Sequence, residues 1–172
     1  MSEVKQVLYD LRTTYNGPFL VEDFYAGVDK WISDSGFEKE TKKKAEFVTK
    51  SGKKIEWHIE IHTKLDELNQ SAIVLRALFN NVKEVVIKRE GKKIKINNGD
   101  AFISIDGFLK SQIRASFWQI KPIYTFFRSL SDRFIYNYWS DKWDGTVAAS
   151  CNDLLKFVTR FFREEKEKYK KK

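Results

Sequence analysis

The sequence predicts an α+β fold: an antiparallel sheet of about six or seven strands covered by an N-terminal helix, an aromatic helix and a C-terminal helix. Three observations carry that prediction. Residues Ile55 to His62 read Ile-Glu-Trp-His-Ile-Glu-Ile-His, and such alternation is satisfied by a strand with one apolar and one polar face. Further β-rich runs follow one another across turns too short for a crossover helix, so neighbouring strands run antiparallel. Near the C-terminus apolar residues recur at three- and four-residue steps, the period of helices that cover a sheet.

The first strand is expected over Val4 to Tyr15, with Val7, Tyr9, Leu11 and Tyr15 on one face, ended by Asn16-Gly17-Pro18. Phe24, Val28, Trp31 and Ile32 then lie at helical spacing. Glu22 and Asp23 fall in the first turn, where the macrodipole favours them, and Gly36 is placed to stop the helix. Lys42 to Lys50 and Lys53 to Leu65 form a hairpin. Its hydrophobic pattern pairs Phe47 with Ile55 and Ala45 with Trp57, leaving Lys50-Ser51-Gly52 as a three-residue loop.

Ala72 to Phe79 is apolar on both faces except at Arg76, the pattern of a central strand. Val85 to Lys88 and Lys92 to Ile96 form a second hairpin around Glu90-Gly91, and Ala101 to Leu109 follows the turn signal Asn97-Asn98-Gly99-Asp100. Between Phe117 and Trp143 stand 10 of the 26 aromatic residues. Pro122 suits the first turn of a helix reaching about Tyr138, with Ile123, Phe126, Phe127, Leu130 and Phe134 as its stripe. Ser140 to Gly145 reads as a loop. A last helix starts near Asn152, its Leu154, Leu155, Val158, Phe161 and Phe162 forming a wide apolar stripe.

These elements fit one α+β domain over residues 1–163 and a basic tail over 164–172. A chain of 172 residues buries a core without disulfides or a structural metal. One cysteine, Cys151, and the lack of a signal-like or membrane-spanning apolar run predict a cytoplasmic location. The net charge of +8 points toward acidic partners. Its distribution tempers that, because Arg160 to Lys172 carries seven basic and three acidic residues, and lysines outnumber arginines 24 to 8. Lysine is a hydrated point charge without the bidentate fork of arginine.

Two constellations have chemical potential. Glu56, His58, Glu60 and His62 leave one face of one strand in a row, a set able to hold a transition metal if a further ligand arrives from a neighbour. The plain alternative is a solvent-facing strand, and no other histidine exists to complete a site. Lys42, Lys43, Lys44, Lys53 and Lys54, with Lys166, Lys168, Lys170, Lys171 and Lys172, form the candidate basic surface. The aspartates Asp141 and Asp144 lack the oxygen-ligand run of a calcium loop. No phosphate loop, dinucleotide fingerprint, nucleophile elbow or zinc-protease motif is present.

Strand, helix, a run of hairpin-joined strands and a long apolar C-terminal helix form an order that resembles the helix-grip fold of START-like and polyketide-cyclase-like proteins. The likeness is one of element order over most of the chain, and the sequence departs from it by having one helix after the first strand and an added aromatic helix. The resemblance implies a curved sheet gripping the last helix around a cavity for a lipid-like or aromatic molecule, with Trp57, Phe126, Phe134, Phe157 and Phe161 as its lining. Three functions follow as expectations: a non-catalytic binding domain for an apolar small molecule or lipid, a basic module for RNA, ribonucleoprotein or an anionic membrane, and a metal-dependent enzyme on the Glu56 to His62 face. The first expects no cofactor.

Overall fold

The computed structural model describes residues 2–112 and 137–170. They form β1 (Ser2–Phe19), α1 (Val21–Asp34), β2 (Glu38–Thr49), β3 (Gly52–Lys64), β4 (Asn69–Arg89), β5 (Lys92–Gln112) and α2 (Asn137–Lys170). The fold class is α+β, with one five-stranded antiparallel sheet in the order β1-β5-β4-β3-β2. Its general shape, a sheet with a C-terminal helix against it, is compatible with a helix-grip arrangement. No helix among the described residues is long and apolar enough to cross a membrane.

The described residues hold five strands and two helices, against the six or seven strands and three helices expected of the chain. Residues expected to separate strands instead lie within them. β4 and β5 each run for 21 residues, and each absorbs two of the predicted strands. Asn97-Asn98-Gly99-Asp100 is not a turn: it pairs with β1 on one side, and Asn97, Asn98 and Asp100 pair with β4 on the other. Gly99 is needed there because a Cβ would come within 2.8 Å of the Asn80 carbonyl oxygen. The register shift lies between Asn80 and Lys83, with Asn81 at φ 54°, a left-handed conformation that asparagine tolerates well. Asn16-Gly17-Pro18 likewise stays inside β1, on an edge strand where a missing N–H is permitted.

The hairpin register also differs. β2 pairs Ala45 with Glu56 and Phe47 with Lys54, closing at Thr49 and Gly52 around the two-residue turn Lys50-Ser51. The Thr49 hydroxyl donates to the Gly52 carbonyl at 2.6 Å. β2 is an edge strand with no fully buried residue, and Phe47 is 48% exposed. Burial therefore had no hold on its register. Opposed residues share a face, so the observed pairing turns Lys39, Thr41, Lys44 and Glu46 toward the helix side and sets Lys43 and Lys54 beside Glu56.

The core forms where the alternation in β3 predicted it. Ile55, Trp57, Ile59 and Ile61 are buried on the face that meets Ile73, Leu75, Ala77 and Phe79 of β4 and Ala101, Ile103, Ile105 and Leu109 of β5. Above them lie Phe24, Tyr25, Val28 and Ile32 of α1 and Val147, Cys151, Leu154, Val158 and Phe162 of α2. In α2 these residues recur every three or four positions, giving one stripe toward the sheet. The helix is longer than expected at both ends. Residues 140–145 are helical rather than a loop, and the supposed tail is helical to Lys170, with Glu165 buried and Lys168 3.7 Å from Asp23 of α1. Most of the expected aromatic helix, residues 122–136, lies outside the described residues, while 137 and 138 belong to α2.

Helix and sheet approach closely at Gly107, where a Cβ would meet Cys151 Sγ at 2.7 Å and Val147 Cγ1 at 3.1 Å. Burial pushes the Cys151 thiol up to about 12. Gly107→Ala should cost about 1–3 kcal/mol by overpacking, measured by urea unfolding, and adding Cys151→Ala should recover part of that loss through the shared contact. Equal losses in the single and double variants would place the strain elsewhere.

Candidate functional site

The polar face of β3 emerges as predicted, but its two carboxylates are engaged in ion pairs with lysines. Glu56 accepts from Lys43 and lies 2.8 Å from Lys54. Glu60 accepts from Lys110 of β5 and lies 3.7 Å from Lys42. His62 Nε2 is 3.3 Å from Glu38. His58 is paired across the sheet with Arg76. Burial, and then the Arg76 charge, hold the His58 imidazole below its ordinary value. Hydrogen bonds from Lys43 and Lys54 draw the Glu56 carboxyl down to about 2. Among the described residues no three His, Cys, Asp or Glu side chains converge as metal ligands.

Next to this row lies a polar knot that the sequence pattern does not announce. Between Leu8 and Leu11 β1 bulges, and Asp10 takes φ 54°. The bulge turns the Asp10 N–H onto Asp106 Oδ1 at 2.7 Å, while Arg76 donates to Asp106 Oδ2. Ser104 donates to the Asp10 carboxylate at 2.8 Å, and Arg12 pairs with that same group. Hydrogen bonds from Arg12 and Ser104 keep the Asp10 carboxyl below its usual range. Asp106 is 97% buried at its side chain, so the charge it carries is held by the bulge amide and a guanidinium. The bulge also leaves Tyr9, expected on the apolar face, 76% exposed. The one sequence signal was Arg76, a lone charge in a strand otherwise apolar on both faces.

The predicted basic surface is largely neutralised within the hairpin. Lys42 is 2.7 Å from Glu40, Lys53 is 2.9 Å from Glu46, and Lys43 and Lys54 share Glu56. Lys44 lies over the Tyr25 ring, 4.3 Å from its centroid. Lys168 is bound to Glu165 and Asp23. Lys166 and Lys170 are exposed on the helix, and Lys171 and Lys172 lie outside the described residues.

Between sheet and helices, aromatic rings of the described residues pack against one another. Phe24 stacks on Phe162 at 5.5 Å, meets Phe79 edge-on at 5.5 Å and Trp57 at 6.1 Å, and Phe19 lies 5.4 Å from Phe79. Trp57 is thus a packed core residue, closed off by Tyr25 at 4.6 Å. Phe161 meets Phe24 edge-on at 5.5 Å. Phe157 instead lies at the junction of the two helices, close against Gly27. Phe126 and Phe134 lie outside the described residues.

Phe157 lines a cleft of about 550 Å³ together with Trp31 of α1 and Asp153, Leu155, Lys156, Thr159, Arg160 and Arg163 of α2. Trp31 is fixed by stacking on Phe37, with centroids 5.5 Å apart and planes 11° from parallel. Lys156 is 3.6 Å from Asp153 and Arg160 is 4.0 Å from Glu164, whereas Arg163 has no carboxylate partner among the described residues. A second cleft, of about 340 Å³, lies beside the start of α1, and its walls include the Lys53–Glu46 pair.

No protein-family model matches this chain, and no curated protein matches it significantly.

The depressed Glu56 value has a definite sign. Its ion pairs stabilise the fold above the ordinary carboxyl value of 4.5, and that contribution is lost as pH falls through about 2. A carbon-detected NMR titration should place the Glu56 midpoint near 2 and move it upward in a Lys43→Ala/Lys54→Ala variant. A wild-type midpoint near 4.5 would show the pairs to be unformed in solution.

Proposed function

We propose that the chain is a non-catalytic binding domain that takes a small amphiphile with an anionic head into the cleft between α1 and α2. The observation that carries this reading is the composition of that cleft: an apolar floor of Trp31, Leu155 and Phe157 beside Lys156, Arg160 and Arg163, the last without a carboxylate partner among the described residues. Its volume falls in the range of small-molecule sites, which pair an apolar lining with a few convergent polar groups. Its titratable side chains among the described residues are one aspartate, one lysine and two arginines, a set that offers charge complementarity but no nucleophile with an adjacent base.

The START-like resemblance supports a lipid-like ligand of this kind, as an analogy of fold. The opening differs from the one that likeness implies. Aromatic rings pack in the layer between sheet and last helix, whereas this cleft opens along the helix pair, and of the described cavity candidates, Trp57, Phe157 and Phe161, Phe157 is the one that lines it.

Calorimetric titration with decanoate and with decanol tests the reading. Decanoate should bind at one site and more tightly than the alcohol. Arg163→Gln should weaken decanoate about tenfold, the scale of one lost charged contact, and leave decanol nearly unchanged. Leu155→Trp should block both. Undetectable decanoate binding at millimolar concentration, or binding indifferent to Leu155→Trp, would refute the assignment.

A further inference from the structure

Beyond Phe19 of β1 and Lys53 of β3, neither strand has a partner on β4 or β5. From Val85 to Ile96 the two long strands pair, among the described residues, only with each other, in the register Val85 to Ile96, Val86 to Lys95, Ile87 to Ile94, Lys88 to Lys93 and Arg89 to Lys92, around the turn Glu90-Gly91. Five such rungs reach roughly 17 Å past the sheet. A two-stranded ribbon of this kind has little independent stability.

Its charges are arranged against that stability. Lys83, Lys88, Arg89, Lys92, Lys93 and Lys95 stand with only Glu84 and Glu90, and all six cations are exposed. None of the six has an ion pair among the described residues, in contrast to the β2–β3 hairpin, where Lys42, Lys43, Lys53 and Lys54 are all matched to glutamates. At the tip, Lys88 faces Lys93 and Arg89 faces Lys92 directly across the ribbon. Like charges directly opposite destabilise a strand pair. A polyanion laid along the tip converts that repulsion into attraction.

We propose that the β4–β5 ribbon is a contact surface for double-stranded DNA, read through its phosphates rather than its bases. A two-stranded ribbon fits the major groove of B-form DNA, whereas the deep, narrow major groove of an RNA duplex excludes it. Five of the six cations are lysines, which supply point charge for phosphate without bidentate base recognition. Residues 83–96 contain no aromatic side chain, so the ribbon lacks the stacking platform by which proteins hold single strands. Nor does it suit insertion into a membrane. Its apolar residues Val85, Val86, Ile87, Ile94 and Ile96 lie behind the tip, and the leading residues, Lys88 to Lys93, are charged or glycine.

Fluorescence anisotropy of the full chain with a labelled 30-base-pair duplex, the matching single strand and phosphatidylglycerol vesicles decides the matter. The duplex should bind most tightly. Four tip cations on phosphates give a slope of about −3.6 in log affinity against log salt, a loss of roughly a hundredfold between 50 and 200 mM. Lys88→Gln/Arg89→Gln/Lys92→Gln/Lys93→Gln should flatten that slope and remove most of the affinity, with an unchanged circular dichroism spectrum. Lys166→Gln/Lys170→Gln should leave most of it. Undetectable duplex binding, preference for single strand or vesicles, or full affinity in the ribbon variant would overturn the proposal, as would binding that follows the C-terminal lysines instead.

Discussion

Four phenylalanines hold this structure together: Phe19 at the end of β1, Phe24 on α1, Phe79 on β4 and Phe162 on α2. Each is almost wholly buried, and the rings lie 5.4 to 5.9 Å apart in stacked, tilted and edge-on pairs. Such pairs add about 0.5–1.5 kcal/mol each beyond the burial of their area. Their position matters more than that sum. They fasten the junction of β1 and α1 to β4 and α2, elements far from it in sequence, at one point, and α1 and α2 can lie side by side on the sheet because their rings interlock there. The helix cleft and the anchored base of the β4–β5 ribbon both depend on that point.

Where the sequence carries a strong burial pattern, it reads correctly. The alternation in β3 assigns both faces of that strand, and the two-sided apolar run of β4 identifies the centre of the sheet. Reading fails where side-chain chemistry has two structural meanings. Asn97-Asn98-Gly99-Asp100 and Asn16-Gly17-Pro18 are composed like turns, yet the same tolerance for left-handed or closely approached backbone serves a long strand that bends or abuts its neighbour. The β2 register is illegible for a different reason. Ala45 and Phe47 supply an apolar pattern, but no residue of this edge strand is fully buried, so the pattern has little energetic consequence.

The candidate sites divide in the same way. Alternation places Glu56, His58, Glu60 and His62 on one face, but their lysine and arginine neighbours arrive from β2, β4 and β5 through pairings that local sequence does not contain. The knot of Asp10, Arg76, Ser104 and Asp106 depends on a bulge joining residues about 95 positions apart. Arg163 looks like one more charge of a basic C-terminus until the helix continues through it and sets it beside Trp31 and Phe157.

Along β2, the inward-turned lysines have an effect on behaviour at high concentration. Lys39 is held by Asp29 at 2.6 Å and Lys44 lies over Tyr25, so the margin beneath α1 is lined by charge rather than grease. A second chain templating onto this margin would have to bring its own residues against those ammonium groups and desolvate them. Accretion of sheet upon sheet is therefore checked at this border, which lets the protein carry an unprotected outer strand without the filament-forming hazard that such strands bring.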